Sequence, residues 1–193
     1  MTDPLRHRER SEATQGVIRT KALFSLWLDD SGLPSTAARC ERIVRRTAGE
    51  GATAQAIGPS RGGQTTKIHA LTDVLGRPGV LLLTPGNASD VTTAPAVLAE
   101  APGRIRRLAA DKGYDADWLR INLRAQDIVP VIPGKRGRKR RIRHDKRRYR
   151  ERWRIEATFN RLKDFRHVAT RYDKLARNYA SAVALAAVIA FWC

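Results

Sequence analysis

Carboxylates are scarce in this chain. Across 193 residues, 19 Asp and Glu stand against 37 Lys and Arg, leaving a formal net charge of +18. That imbalance implies a polyanionic partner, with DNA or RNA ahead of an acidic membrane. Cysteine is scarcer still. Cys40 and Cys193 sit in no metal-ligand spacing and exclude a disulfide framework, so a reducing, intracellular setting is the default. Long apolar runs are missing as well. The opening MTDPLRHRERSEATQG has no apolar core and does not read as a signal peptide. The apolar tail Ala180 to Cys193 is too short to span a bilayer and reads as a buried closing helix. No membrane partner is expected.

What the chain does have is concentrated positive charge. Lys135 to Arg154 holds thirteen Lys or Arg, introduced by Pro133-Gly134. Such a block repels itself unless an anion neutralises it, and its affinity for nucleic acid comes largely from counterion release. Few aromatics interleave it, which favours backbone contact over base reading. Trp153 fits either a base-stacking or a core position. Behind the block, Tyr149 to Lys163 (YRERWRIEATFNRLK) reads as part of one helix over Asp145–Asp164. In a continuous helix Tyr149, Arg152, Glu156 and Lys163 share a stripe, while Ile155, Phe159 and Leu162 form a neighbouring apolar edge. Glu156 among cations suits an acidic metal ligand beside phosphates. The plainer reading is that Glu156 pairs with Arg152 or Asn160 on a solvated face, worth a few tenths of a kcal/mol.

The rest of the pattern is mixed α/β. Strands are expected at Thr65–Thr72 and Val80–Leu83, joined by the Gly76 to Gly79 turn, then at Ile105–Ala110 and Ile128–Ile132. Helices are expected at Val91–Glu100, capped by Asp90, and at Ala116–Gln126. Ala22–Leu28 fits strand or helix, and Ala37–Arg46 fits a short helix. Asp111 closes the Ile105 strand, where a carboxylate is held rigidly at the sheet's edge; a turn Asp bonding its own backbone is the alternative there. Asp115 and Asp117 read as loop and helix-start residues, and Lys67 and His69 as surface residues on one strand face.

The spacing Y-x2-R-x3-E-x6-K at Tyr149, Arg152, Glu156 and Lys163 resembles the third-carboxylate signature of bacterial insertion-sequence DDE transposases. Ser60 to His69 (SRGGQTTKIH), Leu83 to Asp90 (LTPGNASD), Ala110 to Asp115 (ADKGYD) and Asn160 to Leu175 look like the same family, in the same order. The resemblance runs from about Ala54 to the C-terminus. It implies a divergent segment over 1–53 and a catalytic-type domain over 54–193 with a ribonuclease-H-like mixed sheet flanked by helices, incomplete at its first strand. It also implies Asp111 and Glu156 as catalytic ligands to Mg²⁺ or Mn²⁺. Two such ions, bridged by a third Asp, would neutralise attacking and leaving oxygens in phosphodiester cleavage and strand transfer. Arg138, Lys139, Arg140, Arg141, Arg143, Tyr149, Arg152 and Lys163 would hold DNA. The implied setting is cytoplasmic and nucleoid-associated, acting on element ends and target DNA, with a homodimer as the candidate assembly.

One carboxylate of the family pattern is missing. The bridging Asp belongs to a segment like I/L-D-S/G-T-x-x-R-A-H upstream of the SRGG motif, and no such string precedes Ser60. Asp30, after the apolar run Phe24–Leu28, is the candidate substitute. Codons permitted by Pro34 to Val44, read two nucleotides later, can encode Leu-Asp-Ser-Gly-Ala-Leu-Arg-Ala-His-Arg, which resembles that segment. A frame-disrupted element is therefore expected, and the reading stays open between a DDE transposase and a non-enzymatic DNA-binding remnant of one.

Overall fold

One long strand organises the molecule. The computed structural model describes residues 16–17, 24–28, 55–61 and 63–193, the first two segments as strand backbone only. The strands are β1 (Gly16–Val17), β2 (Phe24–Leu28), β3 (Gly58–Ser60), β4 (Gly63–Thr72), β5 (Pro78–Pro85), β6 (Ile105–Ala110), β7 (Val129–Val131) and β8 (Thr170–Arg171). Between them run α1 (Asp90–Ala99), α2 (Asp117–Ala125), α3 (Lys146–Arg150), α4 (Trp153–Lys163), α5 (Arg166–Ala169) and α6 (Ala176–Trp192). The main sheet is ordered β5-β4-β2-β6-β7, with β3 also paired to β4; β1 and β8 form a separate antiparallel pair. β4 and β5 are antiparallel, and β6 and β7 are parallel.

β4 is buried from Thr65 to Thr72, because helices cover both faces of the sheet. Leu71 packs with Ala94 and Val97 of α1, Leu119 and Leu123 of α2, and Leu108 of β6. Ile68 and Ala70 pack on the other face with Ile155, Phe159 and Leu162 of α4 and with Ala180 and Val183 of α6. The expected closing helix is therefore present in α6. No helix among the described residues is long and apolar enough to cross a membrane.

The helix expected over Asp145–Asp164 is broken at Glu151 and Arg152, where backbone N–H groups bond three residues back rather than four. Like charges at i,i+4 (Lys146 with Arg150, Arg148 with Arg152, Arg150 with Arg154) each cost a few tenths of a kcal/mol. α4 overcomes this by burying Ile155, Phe159 and Leu162, at roughly 2 kcal/mol apiece. α3 buries nothing and rests on its cap, Asp145, which accepts from the N–H groups of Arg147 and Arg148. The tip of the β4–β5 hairpin fixes α4 in turn: the Thr158 hydroxyl donates to the Gly76 carbonyl at 2.5 Å.

The position between β4 and β6 is filled by β2, so the sheet has no gap there. β2 runs parallel to β4 and antiparallel to β6, meeting Ala110 with Phe24 and Ile105 with Leu28. Its C-terminal end is thus level with Ile105, about 20 Å along β6 from Asp111 at 3.3 Å per residue. Asp30 and the helix expected over Ala37–Arg46 lie outside the described residues.

Candidate active site

Asp111 follows the last residue of β6 and opens a single 3₁₀ turn, Lys112–Tyr114. Its Oδ1 accepts from the Lys112 N–H at 2.6 Å. The turn duty weighed from the sequence is therefore real, and it fixes the carboxylate at the sheet edge. Glu156 lies on the exposed side of α4, where Arg152 donates to its Oε1 at 2.6 Å. The Arg152 guanidinium also lies over the Tyr149 ring, 5.6 Å from its centre.

These four residues share one electrostatic neighbourhood. Burial would lower the Arg152 pKa, but Tyr149, Glu156 and Asp111 outweigh it and raise it. Burial likewise raises Tyr149; Arg152 opposes, and the Asp111 and Glu156 charges push the same way as burial. Both carboxylates therefore act on the same Arg–Tyr pair, although they are 45 positions apart in the chain. Lys163 is exposed two turns beyond Glu156, about 10 Å along α4. Trp153 is 60% exposed, which removes it from the core. Among the described residues no group of three or more His, Cys, Asp or Glu side chains could hold a metal ion.

Beneath the Asp111 turn lies a buried polar layer. Lys67 and His69 do share one face of β4, but neither is a surface residue, because α1 and the turn cover that face. Lys67 Nζ donates to the Asp90 carboxylate at 2.9 Å and the Ala88 carbonyl at 2.6 Å. The His69 ring meets the Thr84 hydroxyl through Nε2 at 2.8 Å and the Tyr114 hydroxyl through Nδ1 at 3.4 Å. Burial lowers the His69 pKa to about 4, with Asp90 opposing and Lys67 adding. Burial pushes Tyr114 well above its ordinary value, helped by Asp90 and Asp111. Asp90 was expected as a helix cap; it is instead the first residue of α1 and takes the Lys67 ammonium. The helical reading of Val91–Glu100 signalled only the cap, because Lys67 is 23 residues away.

Asp115 was read as a loop residue and is a densely bonded carboxylate. Its side chain is fully buried and accepts from Arg120 Nη2 (2.8 Å), Arg120 Nε (3.1 Å), the Lys135 N–H (2.7 Å) and Arg138 Nε (2.6 Å). Burial alone would raise its pKa, but the bonds from Arg138, Lys135 and Arg120 carry it down to about 2. Arg138 also pairs with Asp117 at 2.8 Å, and its two carboxylate partners raise its pKa. Of the cations assigned to DNA from the sequence, Arg138 is thus held by the protein itself. Lys139, Arg140, Arg141 and Arg143 are exposed. The basic segment meets Tyr149 through His144, whose ring lies edge-on to it at 5.4 Å.

Arg171, which suggested no chemistry in the sequence, is also internal. It donates to the Thr66 hydroxyl at 2.6 Å and to the Asp173 and Lys174 carbonyls, and lies 5.1 Å from the centre of the Tyr179 ring.

Comparison with known proteins places these observations in a family context. The family model described as "Transposase DDE domain" matches residues 35–191, reaching upstream of Ala54. A Brucella ovis protein named "Putative transposase for insertion sequence element IS6501" is 37% identical over 126 residues, 63% of this chain and 94% of that protein. A Burkholderia cepacia protein with the corresponding name for IS402 is 31% identical over 137 residues, 66% of this chain and 63% of that protein. No solved structure matches.

Proposed function

Because the chain belongs to the transposase DDE domain family, we propose that it binds DNA across its basic segment and descends from enzymes that cleave and transfer DNA strands at insertion-element ends. What supports this reading is that Glu156 is paired with Arg152, which lies over Tyr149, and that the Asp111 charge bears on the same Arg152–Tyr149 pair. Carboxylate oxygens suit Mg²⁺ or Mn²⁺, so Asp111 and Glu156 are the residues that would hold a divalent ion. Such an ion supplies charge neutralisation at the phosphodiester oxygens. Arg152 orients Glu156 and offers guanidinium donors to a neighbouring phosphate, and Tyr149 adds a hydroxyl donor. Lys163 extends the cationic surface along α4. A ribonuclease-H-like arrangement accommodates the observed sheet, with Asp111 at the end of a central strand.

A specific observation favours the second reading, a DNA-binding protein without strand transfer. Two bound ions need a carboxylate shared between them, and β2 brings Phe24 rather than an acid beside Ala110. The strand that Asp30 follows ends at the level of Ile105, away from Asp111.

The deciding experiment incubates the purified chain with end-labelled duplex carrying the element's own ends, in Mg²⁺ and in Mn²⁺. Strand cleavage that falls roughly 100-fold or more in Asp111→Asn and Glu156→Gln supports the enzyme, since a ligated ion stabilises the transition state by several kcal/mol. Binding without cleavage supports the second reading. Failure to bind DNA at all rejects both.

A further inference from the structure

The exposed cations of the basic segment are not equivalent. Arg141, Ile142, Arg143, His144 and Lys146 line one open cleft of about 480 Å³. No carboxylate lines it, and Arg141, Arg143 and Lys146 have no carboxylate partner among the described residues. Arg143 and His144 are also one wall of a second cleft of about 330 Å³, floored by Val129, Pro130 and Val131 of β7 and flanked by Arg124. Asp145 reaches that second cleft, but its carboxylate caps α3. A cationic cleft and an apolar-floored cleft thus share a wall of one Arg and one His.

The segment is also held in shape. Asp115 ties down the Lys135 N–H and the Arg138 side chain. Gly134 lies so close to Ile142 that an added Cβ would stand 3.3 Å from the Ile142 Cβ and Cγ1. These contacts fix both limbs of the loop and so fix the clefts between them.

We propose that the two clefts are one nucleotide-sized subsite for a DNA strand, with a backbone phosphate between Arg141, Arg143 and Lys146 and the adjoining sugar and base over Pro130 and Val131. Arg138 is excluded from the phosphate contacts; it is a positioning residue that holds the segment to Asp115. The subsite abuts the candidate active site through the His144–Tyr149 contact, so a strand seated there passes beside Asp111 and Glu156. The inference rests on the DNA-binding reading above and adds to it which cations touch phosphate.

The test uses the full chain and a short fluorescein-labelled duplex with a single-stranded overhang, with affinity followed by anisotropy over a salt series. Arg141→Gln, Arg143→Gln and Lys146→Gln each flatten the log-affinity against log-salt slope by a part of 0.9, and the triple variant flattens it by about 0.9, the loss of the one phosphate they share. Arg143→Lys restores the slope. Arg138→Gln leaves the slope unchanged and instead speeds tryptic cleavage between residues 139 and 143. Unchanged slopes in the first three variants, with wild-type binding intact, would overturn the subsite and leave the DNA reading standing. A slope change in Arg138→Gln equal to theirs would overturn its assignment, and tighter binding to the matching RNA would overturn DNA as the subsite's occupant. A wild-type chain that binds no duplex overturns the DNA reading itself.

Discussion

His69 and Asp115 are both internal titratable groups, and together they set how the fold responds to acid. An unfolded imidazole takes its proton near 6.5, whereas burial holds His69 to about 4. Between those values the unfolded chain binds more protons, so stability falls as pH drops through that window. Asp115 extends the loss. Its carboxylate titrates at 3.8 when unfolded and about 2 when folded, so the stability it contributes is complete above 3.8 and lost as pH falls toward 2. Urea midpoints measured from about pH 8 to about pH 3 should therefore decline in two stages. His69→Gln should remove the upper stage, and a flat profile above pH 4 in the wild type would contradict the buried neutral ring. Asp115→Asn should cost about 3 kcal/mol in the same measurement, because Arg120 is left buried without its counter-charge. None of this was legible in the chain. The partners of Asp115 come from residues 120, 135 and 138, and no local spacing distinguishes such an Asp from an ordinary turn residue. The places of Asp111 at a strand's end and of Glu156 on a helix's exposed side were legible, because each sits at a local boundary or period that the sequence displays.

Elements were readable where the pattern was local. Ile105–Ala110 appears with the bounds its apolar run suggests, and the β4–β5 hairpin and α1, α2 and β7 shift by only one or two residues at most ends. The break between α3 and α4 was not readable, since the stripe of Tyr149, Arg152, Glu156 and Lys163 runs across it in a continuous helix, while charge repulsion and the hairpin tip decide the outcome. That tip carries its own prediction. Gly76 has φ +83°, and an added Cβ would meet the Thr158 hydroxyl at 3.0 Å and the Arg154 carbonyl at 3.4 Å. Gly76→Ala should destabilise by about 1–2 kcal/mol from the left-handed backbone alone, with further loss from the contact. Denaturation measures that cost. If α4 is indeed seated by this turn, the variant should also weaken DNA binding, because Glu156 and Arg152 ride on the same helix.

At the scale of the whole molecule, the sheet depends on a strand that the resemblance did not supply. The expectation was an incomplete first strand, and a sheet edge left unpaired is prone to aggregate. β2 instead hydrogen-bonds to both β4 and β6. A chain lacking residues 1–30 should therefore lose cooperative unfolding and aggregate, as size-exclusion chromatography and urea titration would reveal. An unchanged monomer would show that the slot needs no occupant. Sheet ladders join main-chain amides and carbonyls, which every residue but proline presents in full. Either direction of travel satisfies them. Architecture is therefore indifferent to chemistry here: a ribbon in that slot keeps the scaffold standing whatever side chains it carries.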